Sequence, residues 1–92
     1  MTKLKDVKLV MTSIACPEQY DAFYKGKQVG YLRLRHGYYI VIYPNHMGKI
    51  IYEAYPKGDG MFEDSERDFY LNRARKVIIN QLLLEGIIDE SN

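Results

Sequence analysis

Hydrophobic residues alternate with polar ones along most of the chain as far as Pro56, and recur at three- and four-residue steps beyond Gly60. Side chains two apart share a sheet face, and those three or four apart share a helix face. The pattern predicts a four- or five-stranded antiparallel meander followed by one C-terminal helix packed on one face, an α+β fold. Its organising stretch is Val29 to Pro56. Within it, Gly30 to Arg35 sets Leu32 and Leu34 against Tyr31, Arg33 and Arg35. Tyr38 to Tyr43 is aromatic or β-branched throughout, as central strands prefer. Lys49 to Tyr55 alternates less cleanly, with Glu53 marking the wet side.

His36-Gly37 is read as a two-residue hairpin turn. Arg35 then pairs with Tyr38. Leu34, Tyr39, Val41 and Tyr43 face inward, and Arg33, Arg35, Tyr38, Ile40 and Ile42 face outward. A three-residue bulged turn would invert the parity of the central strand. Under either reading Tyr31, Arg33 and Arg35 share one face.

Upstream, Met1 to Asp6 is polar and expected to fray. Val7 to Ile14 reads as a strand ended by Ala15-Cys16-Pro17, because proline lacks the ladder N–H. Gln19 to Tyr24 is the next strand, closed by a turn at Lys25-Gly26-Lys27. Downstream, Pro56 to Gly60 is a break, and Met61 and Phe62 are expected to tuck under the sheet. The helix is placed at about residues 65–85, with Ser65 and Asp68 as a capping box and a tail from 87 to 92. Tyr70, Ala74, Val77, Ile78 and Leu82, with Leu71 at the edge, form its main apolar stripe. Phe69, Ile79 and Leu83 lie away from that stripe. They are the candidate homodimer surface, unless Ile87-Ile88 folds back over them.

Composition narrows the function classes. The 92 residues are read as one domain, 47% hydrophobic and 27% charged, the balance of an ordinary globular protein. A net charge of +1 shows no global basic excess, so nucleic-acid binding would require a local patch. The nine tyrosines, with no tryptophan, suit core rims and contact surfaces. No run is apolar enough to span a bilayer and no leader pattern is present, so a cytoplasmic setting without membrane attachment is expected. The single Cys16 fits a reducing compartment.

Candidate chemistry is sparse. Cys16, His36 and His46 lack paired metal-ligand spacing, so no metal and no cofactor are expected. Cys16 and His36 could meet in space as nucleophile and base, but a cysteine before proline reads more readily as a small buried residue. Glu18 and Asp21 flank Tyr20, with Asp21 and Gln19 on the wet side, and offer little for acid–base work. The loop Lys57-Gly58-Asp59-Gly60 lacks phosphate-loop spacing. No catalytic residue is assigned and the chain is read as a non-enzyme. What remains is a binding face of Tyr31, Arg33, Arg35 and His36 with Lys49, since arginine and tyrosine dominate binding hot spots. The bland alternative is a solvated face with a cross-strand pair between one of these arginines and Glu53.

The phrases ACPEQYDAF and GYLRLRHGYY, within Thr12 to Pro44, and the helix start from Phe62 to Leu71 resemble small phage- and prophage-encoded proteins of unassigned function in Gram-positive bacteria. The resemblance covers most of the chain and implies an accessory role acting on host or phage machinery. In architecture alone, three strands followed by one helix is similar to the plant ethylene-response type of DNA-binding domain and to integrase arm-binding domains. Those lay the outer sheet face in the major groove. The absence of tryptophan, Glu53 on that face and the acidic helix start depart from that pattern. The leading expectation is a small interaction protein that binds a protein partner through its Tyr/Arg face. The alternative is a nucleic-acid-binding domain using Arg33, Arg35, Lys25, Lys27 and Lys49.

Overall fold

The computed structural model describes residues 2–89. A short 3-10 turn at Leu4–Asp6 precedes five strands: β1 (Val7–Ser13), β2 (Glu18–Tyr24), β3 (Lys27–Arg35), β4 (Tyr38–Tyr43) and β5 (Lys49–Ala54). They pair antiparallel in sequence order, and one helix, α1 (Asp64–Leu84), follows. The chain is thus a five-stranded meander with a C-terminal helix packed across one face. Residues 90–92 of the expected tail lie outside the described residues.

The β3–β4 turn settles the parity of the central strand. Arg35 stands opposite Tyr38, and His36 and Gly37 both adopt positive φ, 54° and 71°. Such a turn twists with the strands it joins, and glycine takes the second position without strain. Lys25 and Gly26 repeat the arrangement between β2 and β3, with φ of 51° and 81°.

The core lies between the sheet and the helix. Leu32, Leu34, Tyr39, Val41 and Tyr43 point to it from the central strands. Ala74, Ile78 and Leu82 reach down from α1, with Tyr70, Leu71 and Val77 packed alongside. At Gly30 the helix comes close onto the sheet. A Cβ there would stand 2.6 Å from the Ile78 Cδ1 and 3.3 Å from the Ala22 Cβ, so a larger residue would force the Ile78 side chain to shift. Phe62 tucks under the sheet as expected, but Met61 is exposed.

Each end of the helix is closed by specific hydrogen bonds. The N-cap is Glu63, not Ser65, and it is Glu66 that reaches back to the Glu63 N–H at 3.1 Å. The same carboxylate accepts the N–H groups of Lys57, at 2.9 Å, and Gly58, at 2.8 Å. It therefore holds the loop before the helix as well as the helix start. Burial works against the charge, but these three backbone donors keep the Glu66 carboxyl below its ordinary range. At the other end Gly86, at φ 75°, donates to the Leu83 carbonyl and Ile87 to the Leu82 carbonyl. This is a Schellman stop, and it folds Ile88 back onto the core.

Candidate functional site

The outer face of the sheet can be read from the strand register. One row across it runs Gln19, Arg33, Ile40, Glu53, and the next runs Asp21, Tyr31, Ile42, Ile50. Arg35 and Tyr38 form a third, shorter row at the hairpin end. Among the described residues no helix or strand packs on this face. Ile40 and Ile42 are nevertheless only 2% and 8% exposed. Their cover is made by neighbouring side chains. The Tyr31 hydroxyl donates to Gln19 Oε1, and His46 sits edge-on to the Tyr31 ring at 6.2 Å. Tyr38 stacks on Tyr55 with ring centroids 5.4 Å apart and donates to Glu53 at 3.0 Å. That bond raises the Tyr38 hydroxyl above its ordinary pKa.

A cross-strand pair between Arg33 and Glu53, one form of the bland alternative, is not made. Ile40 stands between them on β4, which separates the two backbones by about 10 Å at ordinary strand spacing. Glu53 is engaged by Tyr38 instead. Arg67 pairs with Glu18 and Asp64, whereas Arg33 and Arg35 form no ion pair with a described acid, on a face they share with Tyr31 and Tyr38.

Two of the residues read with this face are placed elsewhere. Lys49 stands opposite Tyr43, so it shares the helix side of the sheet. There it lines a groove of about 750 Å³ with Lys25, Lys27, Tyr43, Leu82 and Glu85. The Glu85 carboxylate accepts from the Gln81 amide and the Tyr43 hydroxyl, and both bonds hold it below its ordinary pKa. His36 lies at the rim, in a depression of about 180 Å³ lined also by Cys16, Arg35, Asp59 and Gly60. Cys16 is exposed there, not buried. It shares the depression with His36, yet no hydrogen bond joins the two. Among the described residues no group of three or more metal-capable side chains gathers.

The candidate dimer surface on the helix back is broken up. Ile79 is half-buried and packs against the core. Phe69 is 56% exposed, and Arg73 covers its ring at 5.4 Å. The helical period puts Arg73, Lys76 and Asn80 between Phe69 and Leu83, so the apolar positions form no continuous stripe.

The sequence reading missed Glu18. It begins β2 one residue earlier than expected, at inward parity with Tyr20 and Ala22, and is 1% exposed. Its carboxylate accepts the Tyr20 hydroxyl, the Phe62 N–H at 2.9 Å and the Arg67 Nε and Nη2 at 3.0 and 3.3 Å. Arg67 also donates to the Phe62 carbonyl at 3.0 Å and to Asp64 at 2.7 Å. Burial and the Glu18 carboxylate push the Tyr20 hydroxyl well up. No buried side-chain polar atom among the described residues is left without a partner. With its acceptor sites filled from inside the protein, this cluster is a clasp between β2 and the helix start. The signal available was a glutamate at an inward position of an alternating strand, with an arginine on the first helical turns.

No family model, curated protein or solved structure matches the chain. No helix among the described residues is long and apolar enough to cross a membrane.

Proposed function

We propose that the protein is a small non-enzymatic interaction protein of phage or mobile-element origin, acting in the cytoplasm of a Gram-positive host. Its outer sheet face binds a protein partner through its tyrosines and arginines. The observation that supports this reading is the pair of arginines without an ion pair to a described acid, Arg33 and Arg35, on the face where Tyr31 and Tyr38 flank the buried Ile40 and Ile42. Ordered aromatic side chains lose little freedom on binding, and planar guanidinium groups suit carboxylates. Asp21 and Glu53 lie on the same face and would repel a phosphate backbone, while Lys49 points to the other side. Both features favour protein over nucleic acid.

The test is capture from a Gram-positive host lysate with wild type and with an Arg33→Ala/Arg35→Ala variant, each with and without nuclease and at two salt concentrations. The reading expects a discrete protein that survives nuclease and is lost with the variant. Equal recovery by the variant would remove the face from consideration. Recovery of nucleic acid, with affinity falling steeply with salt, would replace the proposal with the nucleic-acid reading.

A further inference from the structure

We infer that β1 pairs with the β1 strand of a second copy, joining two five-stranded sheets into one across a two-fold axis at Val10. The inference rests on which backbone groups of this edge strand are open. The Val7 N–H donates to the Leu4 carbonyl, and the Val7 carbonyl accepts Arg75 Nε at 3.1 Å. Both Val7 groups are thus used on the side away from β2. In an antiparallel strand the N–H and C=O of one residue point the same way, and the direction alternates along the chain. Lys8 and Val10 therefore bond β2, while Leu9 and Met11 present their N–H and C=O groups outward.

The open window is short and bounded. The 3-10 turn and Arg75 close it at Val7, and a bulge between Met11 and Ser13 closes the other end. Within it the pattern is self-complementary. Antiparallel pairing centred on Val10 sets Leu9 opposite the partner's Met11 and Met11 opposite the partner's Leu9. Each pair exchanges two hydrogen bonds, and all four open groups of each copy are used.

Side chains agree with this register. Val10 and Met11 are 52% and 45% exposed and would be covered at the axis. Leu9 and Met11 share the helix side, so they would join the two cores. Lys8 falls opposite the partner's Thr12, and no like charges face each other. The other edge offers no such run: β5 carries a bulge against Val41 and Ile42 in its middle. An open edge is otherwise a liability for uncontrolled pairing, and a closed two-fold pairing removes it.

The experiment is sedimentation equilibrium of the full chain over a concentration series, with one charge variant and one pair of cysteine variants. Wild type is expected to dimerise. Val10→Lys places two ammonium groups at the axis on an exposed position and should give a folded monomer. In a Cys16→Ser background, Val10→Cys should cross-link on mild oxidation, because directly opposed residues at a non-hydrogen-bonded position lie about 4.5 Å apart at Cα, within disulfide reach. Lys8→Cys in the same background should not, since its copies stand four residues out of register. A wild type that stays monomeric at high concentration would overturn the inference. So would a dimer that Val10→Lys leaves intact, or one in which Lys8→Cys cross-links as readily as Val10→Cys.

Discussion

The two faces of the sheet bury isoleucine to a similar degree by different means. On the helix side, Ile78 comes down onto Gly30 from a separate element, and its burial depends on α1 staying docked. On the outer side, Ile40 and Ile42 are buried with no second element over them, among side chains of the same face such as Tyr31, which stands opposite Ile42. The first face uses apolar area to hold the fold together. The second keeps its polar atoms and two arginine charges at the surface while covering its apolar floor. A face built in the second way stays available to a partner, and the comparison can be tested one residue at a time.

The largest effect is expected at the clasp that keeps the first face closed. Arg67→Ala leaves the Glu18 carboxylate buried beside Tyr20 and Phe62 with no opposite charge. Breaking a buried pair by removing one partner costs about 3–5 kcal/mol, a large share of the stability of a domain this small. Urea unfolding measures it. A loss below about 1 kcal/mol would mean that the helix start is held by Phe62 and Glu66 without the clasp.

Next come two matched truncations. Ile78→Ala removes a fully buried side chain between layers and should cost about 2–5 kcal/mol. Ile40→Ala should cost a similar amount if the tyrosine cover excludes water as a packed element does. If Ile40→Ala costs less than about 1 kcal/mol while Ile78→Ala costs the full amount, the outer cover is loose and the two faces are less alike than their burial indicates.

The fold was legible because its signals were local. The two-residue turn at His36-Gly37, the alternation of Leu32 and Leu34, and the stripe through Ala74, Ile78 and Leu82 each declare themselves within a few residues. What was missed depends on contacts far apart in the chain. Glu18 meets Arg67 across 49 positions, and neither residue marks the other. Lys49 falls on the helix side because β5 carries a bulge against Val41 and Ile42, and one extra residue flips parity. Ile79 reads as helix back from the periodicity, but the edge of that helix is itself packed against the core. For the candidate site, the shared face of Tyr31, Arg33 and Arg35 could be read from spacing alone. That Arg33 lacks a partner could not, because it depends on Ile40 standing between Arg33 and Glu53.

A smaller effect concerns pH and the loop that leads into α1. The folded Glu66 carboxyl sits below its ordinary value of 4.5, while the unfolded chain restores that value. The stability it contributes is therefore complete above about that pH and is lost as pH falls through the lower, folded value. Thermal melts of wild type should decline in that acid window. Glu66→Gln should be less stable than wild type at neutral pH and approach it on acidification. Parallel declines for both proteins would assign the acid sensitivity to other carboxylates.

The smallest expected effect on stability is at the arginines themselves. Arg33→Ala with Arg35→Ala removes two charges that form no ion pair with a described acid, at positions whose burial contributes little to the core. Surface changes of this kind usually stay within about 0.5 kcal/mol, so the urea midpoint should hardly move. A midpoint that rises slightly would fit relief of repulsion between two like charges on one strand. A clear loss, above about 1 kcal/mol, would show that the guanidinium stems help to roof Ile40 and its neighbours, making Arg33 and Arg35 part of the cover itself. In that case the variant would no longer separate binding from folding. Lysine replacements, which keep the apolar stem and the charge but lose the planar fork, would then be the variants that isolate recognition.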